Sequence, residues 1–279
     1  MKKTILILIL MIAGISTTTA QSTEKIKGDR NVTIKQTYID DFESIVVDGN
    51  FSIEVVYNNK PSVEIEADNN LHDVIQFGVV DGVLTFVETI RITAKKKLNI
   101  KVNYGDALQN IEVNGDGEIR SLTSMELGNV TLSTSDNSRA YLNIKASTFN
   151  YKSSGKSKTR LNLTADSTYV ELSDNSKLDA LIMTSSSKFD LYQRSDIAIE
   201  GSAKSALINL INSSNFNGGK FDVDNSNVNL EDNSDLTLAV NESITIASSG
   251  NSEVYLYGNP SISISKFEDT SKLQKKSNK

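Results

Sequence analysis

From Leu132 onward the chain returns to an apolar residue at a fixed interval. Leu132, Tyr151, Val170, Phe189, Ile208, Val228 and Ile246 each stand six residues before a serine. Those serines, Ser138, Ser157, Ser176, Ser195, Ser214, Ser234 and Ser252, follow one another at steps of 19, 19, 19, 19, 20 and 18 residues. Four residues after each serine comes a second series, Leu142, Leu161, Ala180, Ile199, Gly218, Leu238 and Leu256, in which only the glycine is out of character. Between these positions apolar and polar residues alternate, as in Val170-Glu171-Leu172, Phe189-Asp190-Leu191 and Leu236-Thr237-Leu238. Alternation with period two marks a strand with one buried face. The serines close polar triplets such as Asp136-Asn137-Ser138, Asp174-Asn175-Ser176 and Asp232-Asn233-Ser234. Short polar side chains suit tight corners, and Asn and Asp tolerate left-handed backbone.

Strand, corner and strand at constant length predict a stack of coils. One coil cannot bury its inward face alone, so neighbours stack into a continuous apolar column and pair their backbones at about 4.8 Å per layer. The expected fold is all-β, a right-handed parallel β-helix or solenoid with coils of about 19 residues. Leucine-rich repeats have a similar period but need a longer leucine consensus and helical segments. A left-handed hexapeptide helix has a similar coil length, and the missing three-fold subdivision favours the right-handed form.

Upstream the pattern is β but less uniform. Ser44 to Val56 reads as two strands around Asp48-Gly49-Asn50, Val63 to Ala67 alternates, and Val79-Val80-Asp81-Gly82-Val83-Leu84 is another turn-bounded pair. Leu98 to Val102 and Ile111-Glu112-Val113 continue the series, and Val113 lies 19 residues before Leu132, which predicts entry into the repeat in register. The only prolines are Pro61 and Pro260, and no Pro- or Gly-rich linker interrupts the chain. The expected division is a signal peptide over residues 1–20, an N-terminal lead-in over 21–39, one continuous β-helical domain over 40–265 and a basic, solvated C-terminal tail over 266–279.

The leader changes the picture of location. Lys2 and Lys3 precede the apolar run Ile5 to Ile12, and small residues from Ser16 to Ala20 offer a cleavage site ahead of Gln21. The run is too short for a comfortable membrane span, and without a Cys no lipoprotein anchor is possible. Export to the periplasm, cell surface or medium is expected. With no cysteine, stability must come from the core rather than disulfides. Of the 29 basic residues, loss of Lys2 and Lys3 leaves 27 against 35 acidic ones, a net charge near −8. That sign argues against non-specific nucleic-acid binding.

Phe42-Glu43-Ser44-Ile45-Val46-Val47-Asp48-Gly49, followed by Phe51-Ser52-Ile53-Glu54-Val55, resembles the opening of the head GIN family, auto-transporter adhesins of the Bacteroidetes and a domain of unknown function. Val63 to Asp68, Asp81-Gly82-Val83-Leu84, the Gly115-Asp116-Gly117 turn and the closing Gly258-Asn259-Pro260 fit the same family in order, over about Asp40 to Asp269. The resemblance implies a β-helical fold and an adhesin role; it carries no active-site residues to transfer.

The residues offer little for catalysis. His72, beside Asp73, is the only histidine, and it reads as an exposed loop residue rather than a general base. Thiol chemistry and Cys-based zinc sites are excluded with cysteine. Asp136, Asp174 and Asp232 share one corner but lie two or three coils apart. At about 4.8 Å per coil the first two are roughly 10 Å apart, too far to share a calcium ion. They read as corner caps. There is no Trp; Tyr151 belongs to the core column, and Tyr141, Tyr169, Tyr192, Tyr255 and Tyr257 could form an exposed stripe for a sugar. Lys95-Lys96-Lys97 and Lys272, Lys275, Lys276 and Lys279 are basic spots, the last group in a tail expected to fray.

Catalytic, cofactor and metal residues are therefore expected to be none, with the ligand-binding residues left open. The leading expectation is a non-enzymatic envelope protein that presents a long polar face to a glycan or another surface protein. The alternatives are a carbohydrate-active enzyme of the β-helix class, a polysaccharide lyase or hydrolase, and a purely structural envelope protein.

Overall fold

The computed structural model describes residues 24–277; the signal-peptide expectation and Lys279 lie outside them. The chain is nearly all β and forms a β-solenoid of about 9 turns with coils of about 19 residues. The first part comprises β1 (Lys25–Lys27), β2 (Val32–Tyr38), β3 (Ser44–Val47), β4 (Ser52–Tyr57), β5 (Ser62–Asp68), β6 (Ile75–Val80), β7 (Val83–Glu88), β8 (Arg91–Ala94) and β9 (Leu98–Tyr104). Short strands follow at β10 (Asn110–Val113), β11 (Glu118–Ser121), β12 (Met125–Glu126) and β13 (Asn129–Thr134). The regular coils are β14 (Arg139–Ser153), β15 (Lys158–Leu172), β16 (Lys177–Leu191), β17 (Asp196–Leu210), β18 (Asn215–Leu230) and β19 (Asp235–Ser248). β20 (Glu253–Tyr257), β21 (Ser261–Phe267) and β22 (Lys272–Lys275) complete the stack.

The apolar file foreseen at nineteen-residue steps is present. Leu132 pairs with Tyr151, Tyr151 with Val170, Val170 with Phe189, Phe189 with Ile208, Ile208 with Val228 and Val228 with Ile246, all parallel. Every one of them is 0% exposed. The long strands bend at an outer corner, and β18 carries a further irregularity at Gly219 and Lys220. In β15 the inward positions Thr159, Leu161, Leu163 and Ala165 give way to two consecutive exposed residues, Asp166 and Ser167, before Thr168, Val170 and Leu172 turn inward. The shift in phase makes an outer corner between two β segments, because alternate residues face opposite sides.

The other corner is built by the triplets, and its file has one backbone signature. Asp136, Gly155, Asp174, Gln193, Asn212, Asp232 and Gly250 all adopt positive φ, between 58° and 75°. The third residue turns in: the seven serines from Ser138 to Ser252 are buried. Ser157, Ser176, Ser234 and Ser252 each donate to the carbonyl three residues back, at 2.7–2.9 Å, which closes the turn inside the protein. A larger side chain would not fit this inner corner without displacing the neighbouring coil. Gly218, the exception in the second apolar series, sits where a Cβ would lie 2.7 Å from the Phe216 ring. The phenyl group fills the column in its place.

The upstream register differs from the expectation. Ile111, not Val113, pairs with Leu132, and above it Ile45 pairs with Ile111. Arg120 pairs with Tyr141 while Met125 pairs with Ile144, so the chain carries two extra residues between Arg120 and Met125. They are accommodated in a loop where Leu122 is exposed. The lead-in is also structured: β2 runs antiparallel along β5, and β5 antiparallel along β9, closing the N-terminal end of the stack. The basic tail does not fray before Lys275. Asp269-Thr270-Ser271 is one more triplet, with Asp269 at φ 59°, and β22 pairs in parallel with β20. Leu273 packs against the core, while Lys272 bonds Glu253 at 2.7 Å. At this end Ile262 and Ile264 of β21 stay exposed because the described residues provide no further coil above them.

Candidate functional site

The chemistry foreseen at the corners is structural. The Asp136 carboxylate accepts from the amide of Gly115 at 3.1 Å, Asp174 from Gly155 at 2.9 Å and Asp269 from Gly250 at 2.9 Å, each reaching back to the preceding coil. Asp232 shares their left-handed backbone. Among the described residues no three His, Asp or Glu side chains converge in a way that could hold a metal ion. His72 is half-buried, and its Nε2 lies 3.0 Å from the Thr33 hydroxyl, so it joins the N-terminal cap to β2. Burial and then the Lys35 charge push its pKa down. Lys96 and Lys97 belong to the same cap. The Lys96 amide donates to the buried Asp68 at 2.9 Å, and Lys97 pairs with Glu66 at 3.4 Å.

The tyrosines do not form one stripe. Tyr141 and Tyr255 occupy the same outward file, six coils apart, through Arg160, Asp179, Ala198, Asn217 and Thr237. Tyr169 lies on the other β segment, in file with Asn150 and Lys188. Tyr192 stands at the corner and Tyr257 in a separate file.

Two features were not legible as sites in the sequence. The first is a cluster across β15, β16 and β17. Glu171 and Asp190 are register partners, and the Tyr169 hydroxyl lies 2.6 Å from Glu171 and 3.0 Å from Asp190. Lys188 pairs with Asp190 at 2.7 Å, and Asn209 donates to it at 2.7 Å. Burial pushes the Asp190 carboxyl up, but the bonds from Asn209, Lys188 and Tyr169 outweigh it and hold the pKa below the usual value. Burial and the two carboxylates raise the Tyr169 phenol. A second carboxylate pair, Asp235 and Glu253, also consists of register partners. Burial and Glu253 raise Asp235, whereas bonds from Lys272 and Tyr255 lower Glu253. None of these four carboxylates lines either depression of the β segment that follows the serine corner.

The second feature is a groove on the β segment that follows the serine corner. A depression of about 460 Å³ is lined by Tyr141 and Asn143 of β14, Arg160 and Asn162 of β15, Asp179 and Leu181 of β16, and Glu200 of β17. Asn143, Asn162, Leu181 and Glu200 form one outward file, and Tyr141, Arg160 and Asp179 the neighbouring one. The Arg120 guanidinium lies 4.3 Å from the Tyr141 ring centroid, and Arg160 faces Asp179 at 3.7 Å. Farther along the same side a second depression, of about 500 Å³, lies between Asn217, Lys220, Thr237 and Tyr257. The Glu200–Lys220 ion pair, at 2.8 Å, stands between the two. This surface offers amides, both charge signs, two aromatic rings and an exposed leucine along the axis. It can hold an extended polar partner, whereas it does not enclose a small molecule.

Stacked coils with an open polar groove along one side define the chain as a β-solenoid. The chain belongs to the family described as "putative auto-transporter adhesin, head GIN domain", whose model matches residues 41–187 and 162–260. The two overlapping matches are what a repeat allows, since one model can align to it in two registers. Among solved structures, an adhesin-described protein of Parabacteroides distasonis is similar with a TM-score of 0.65 and 18% identity, over 90% of this chain and 99% of that one. A second, from Parabacteroides merdae, gives 0.62 and 16% over 92% and 100%. A third, described as a lipid binding protein of P. distasonis, gives 0.57 and 15% over 92% and 100%. At these identities the likeness is one of fold. No functionally curated protein matches the sequence. Among the described residues no helix is long and apolar enough to cross a membrane.

Proposed function

We propose that this chain is an exported, non-enzymatic envelope protein of adhesin type, which binds an extended glycan or surface-protein segment along the groove from Tyr141 to Glu200. The observation that carries this reading is the repetition of hydrogen-bonding side chains in register, Asn143 above Asn162, beside Tyr141 and Arg160. A linear partner lying along the axis meets one such position about every 4.8 Å. Family membership and the leader sequence support export and adhesion. The test is an array of glycans and matrix proteins probed with the full exported chain and with Tyr141→Ala and Asn162→Ala. Signals that fall about tenfold or more in the variants support the groove; signals unchanged in both would remove it.

The opposed pKa shifts of Asp235 and Glu253 favour one second reading, a carbohydrate-active enzyme, because paired carboxylates pushed apart can serve as acid and base. Incubation with neutral and acidic polysaccharides, followed by assay for reducing ends and unsaturated products, tests it. Turnover abolished by Glu253→Gln would establish that reading.

A further inference from the structure

Beside the groove, Arg139, Lys158 and Lys177 stand directly above one another as register partners on β14, β15 and β16. Among the register partners of the described strands, no other file sets three charges of one sign in succession. Like charges directly opposed across strands destabilise a sheet, and this protein carries an excess of acidic residues with which to relieve them. Elsewhere it does so: Lys272 sits on Glu253 at 2.7 Å and Lys220 on Glu200 at 2.8 Å, both as neighbours in file. The three-cation file is bounded by Glu118, the register partner of Arg139, whose carboxylate is engaged by Arg120 at 3.0 Å, and by Asp196, which pairs with Lys177 at 3.4 Å. Arg139 and Lys158 themselves form no ion pair among the described residues. Lys158 and Lys177 also line a smaller depression, of about 320 Å³, which shares Arg160 and Asp179 with the groove.

We infer that the file Arg139–Lys158–Lys177 is an anion-binding ladder and that the partner of the groove is an acidic polysaccharide, carboxylated or sulfated, laid along the solenoid axis. The inference rests on the groove reading above and names the chemistry of its ligand. The ladder is one residue wide and rises about 4.8 Å per cation, which suits the regularly spaced charges of a linear polymer. A membrane surface would need a broad basic face, and a nucleic acid would need many more phosphate contacts than three. Neighbouring Asn143, Asn162 and Tyr141 supply the amides and the flat ring that sugar hydroxyls and sugar faces use. Lys158, set between two cations, has no acidic neighbour in the file, and that arrangement costs stability in the free protein. The bound polyanion would supply the counter-charge that the chain does not place beside it.

The experiment compares the full exported chain with Lys158→Glu, and with Lys95→Gln/Lys96→Gln as a control in a basic spot away from the groove. Binding is measured at low and moderate salt to polygalacturonate, to heparin, to carboxyl-reduced polygalacturonate, to DNA and to anionic vesicles. The expected result is binding to an acidic polysaccharide, weaker with salt and lost on carboxyl reduction. Lys158→Glu should weaken it about tenfold or more, while the control variant leaves it unchanged. Lys158→Glu should also raise the melting temperature of the free protein by about 1–4 °C, because it places a carboxylate between two cations. A ligand-free Tm that falls on this substitution would refute the strained ladder. Equal binding to the acidic and carboxyl-reduced polymers, with Tyr141→Ala still deleterious, would leave the groove standing and overturn the anion ladder. Absence of binding to both acidic polymers, or DNA or vesicles bound as well as the polysaccharides, would overturn it too.

Discussion

Val170 is the position at which the stacked core can be tested most directly. It is 0% exposed, with Tyr151 in the coil on one side and Phe189 in the coil on the other. Replacement by alanine removes two buried methyl groups and leaves a small void, at a cost of about 1.5–3 kcal/mol. Val170→Asp loses the same contacts and adds a carboxyl with no hydrogen-bond partner in an apolar file. At neutral pH the total is about 4–6 kcal/mol, a large part of the roughly 5–15 kcal/mol that holds a folded domain together. The aspartate also leaves a signature in pH. Burial raises its folded-state pKa above the unfolded value of about 3.9. Between those two values the native state holds a proton that the unfolded state has released, so stability falls as pH rises, by about 1.4 kcal/mol per unit. Urea unfolding followed by far-UV circular dichroism at about pH 4.5 and about pH 7.5 reads both effects. The midpoint of Val170→Asp should lie far below wild type at the higher pH and recover part of the difference at the lower. Val170→Ala should show a deficit that does not change with pH. A Val170→Asp midpoint equal to wild type, or a deficit independent of pH, would refute the inward file.

Other consequences can be checked alongside. Gly155→Ala should destabilise by about 2–4 kcal/mol, because its φ of 70° disfavours a side chain and the new Cβ would stand 2.7 Å from the Asp136 carbonyl oxygen; thermal melting measures the loss. Asp174→Gly should cost less than Asp174→Ala in the same assay, since glycine gives up only the bond to the Gly155 amide whereas alanine must also hold φ 60°. Asp190 has a lowered folded-state pKa, so its contribution is present above the unfolded value of about 3.9 and lost as pH falls through the folded value. Asp190→Asn should therefore lower stability at neutral pH and reduce the loss of stability on acidification, as read by Tm against pH.

The solenoid was legible because its determinants are local and repeated. Each coil carries its own alternation and its own corner, so seven copies of one signal reinforce one another from Leu132 to Ile246. The corner aspartates were legible for the same reason. The inward orientation of the serines was not, because serine is usually a surface residue and only the closed turn shows that its hydroxyl reaches a carbonyl three residues back. The shifted register at Ile111 has no signal in the sequence because the two extra residues between Arg120 and Met125 fall in a loop without periodicity. The lead-in and the tail look like flanking segments in the sequence because the two strands of the one, and the single strand and triplet Asp269-Thr270-Ser271 of the other, are too short to show a period. The groove was the least legible element. Its side chains come from four coils and lie about nineteen residues apart, and no local motif joins Tyr141 to Asn162 or Leu181.

The constant nineteen-residue offset between register partners from β14 to β17 has a consequence for how such a chain can change. Within these coils each corner depends only on its own turn and the two beside it. Excision of one full period would rejoin corner to corner and keep every inward residue facing the core. Length could then be gained or lost in single-coil increments, while the outward files are cut and respliced into new neighbour pairs. Specificity and reach would be edited together, with the interior left almost untouched.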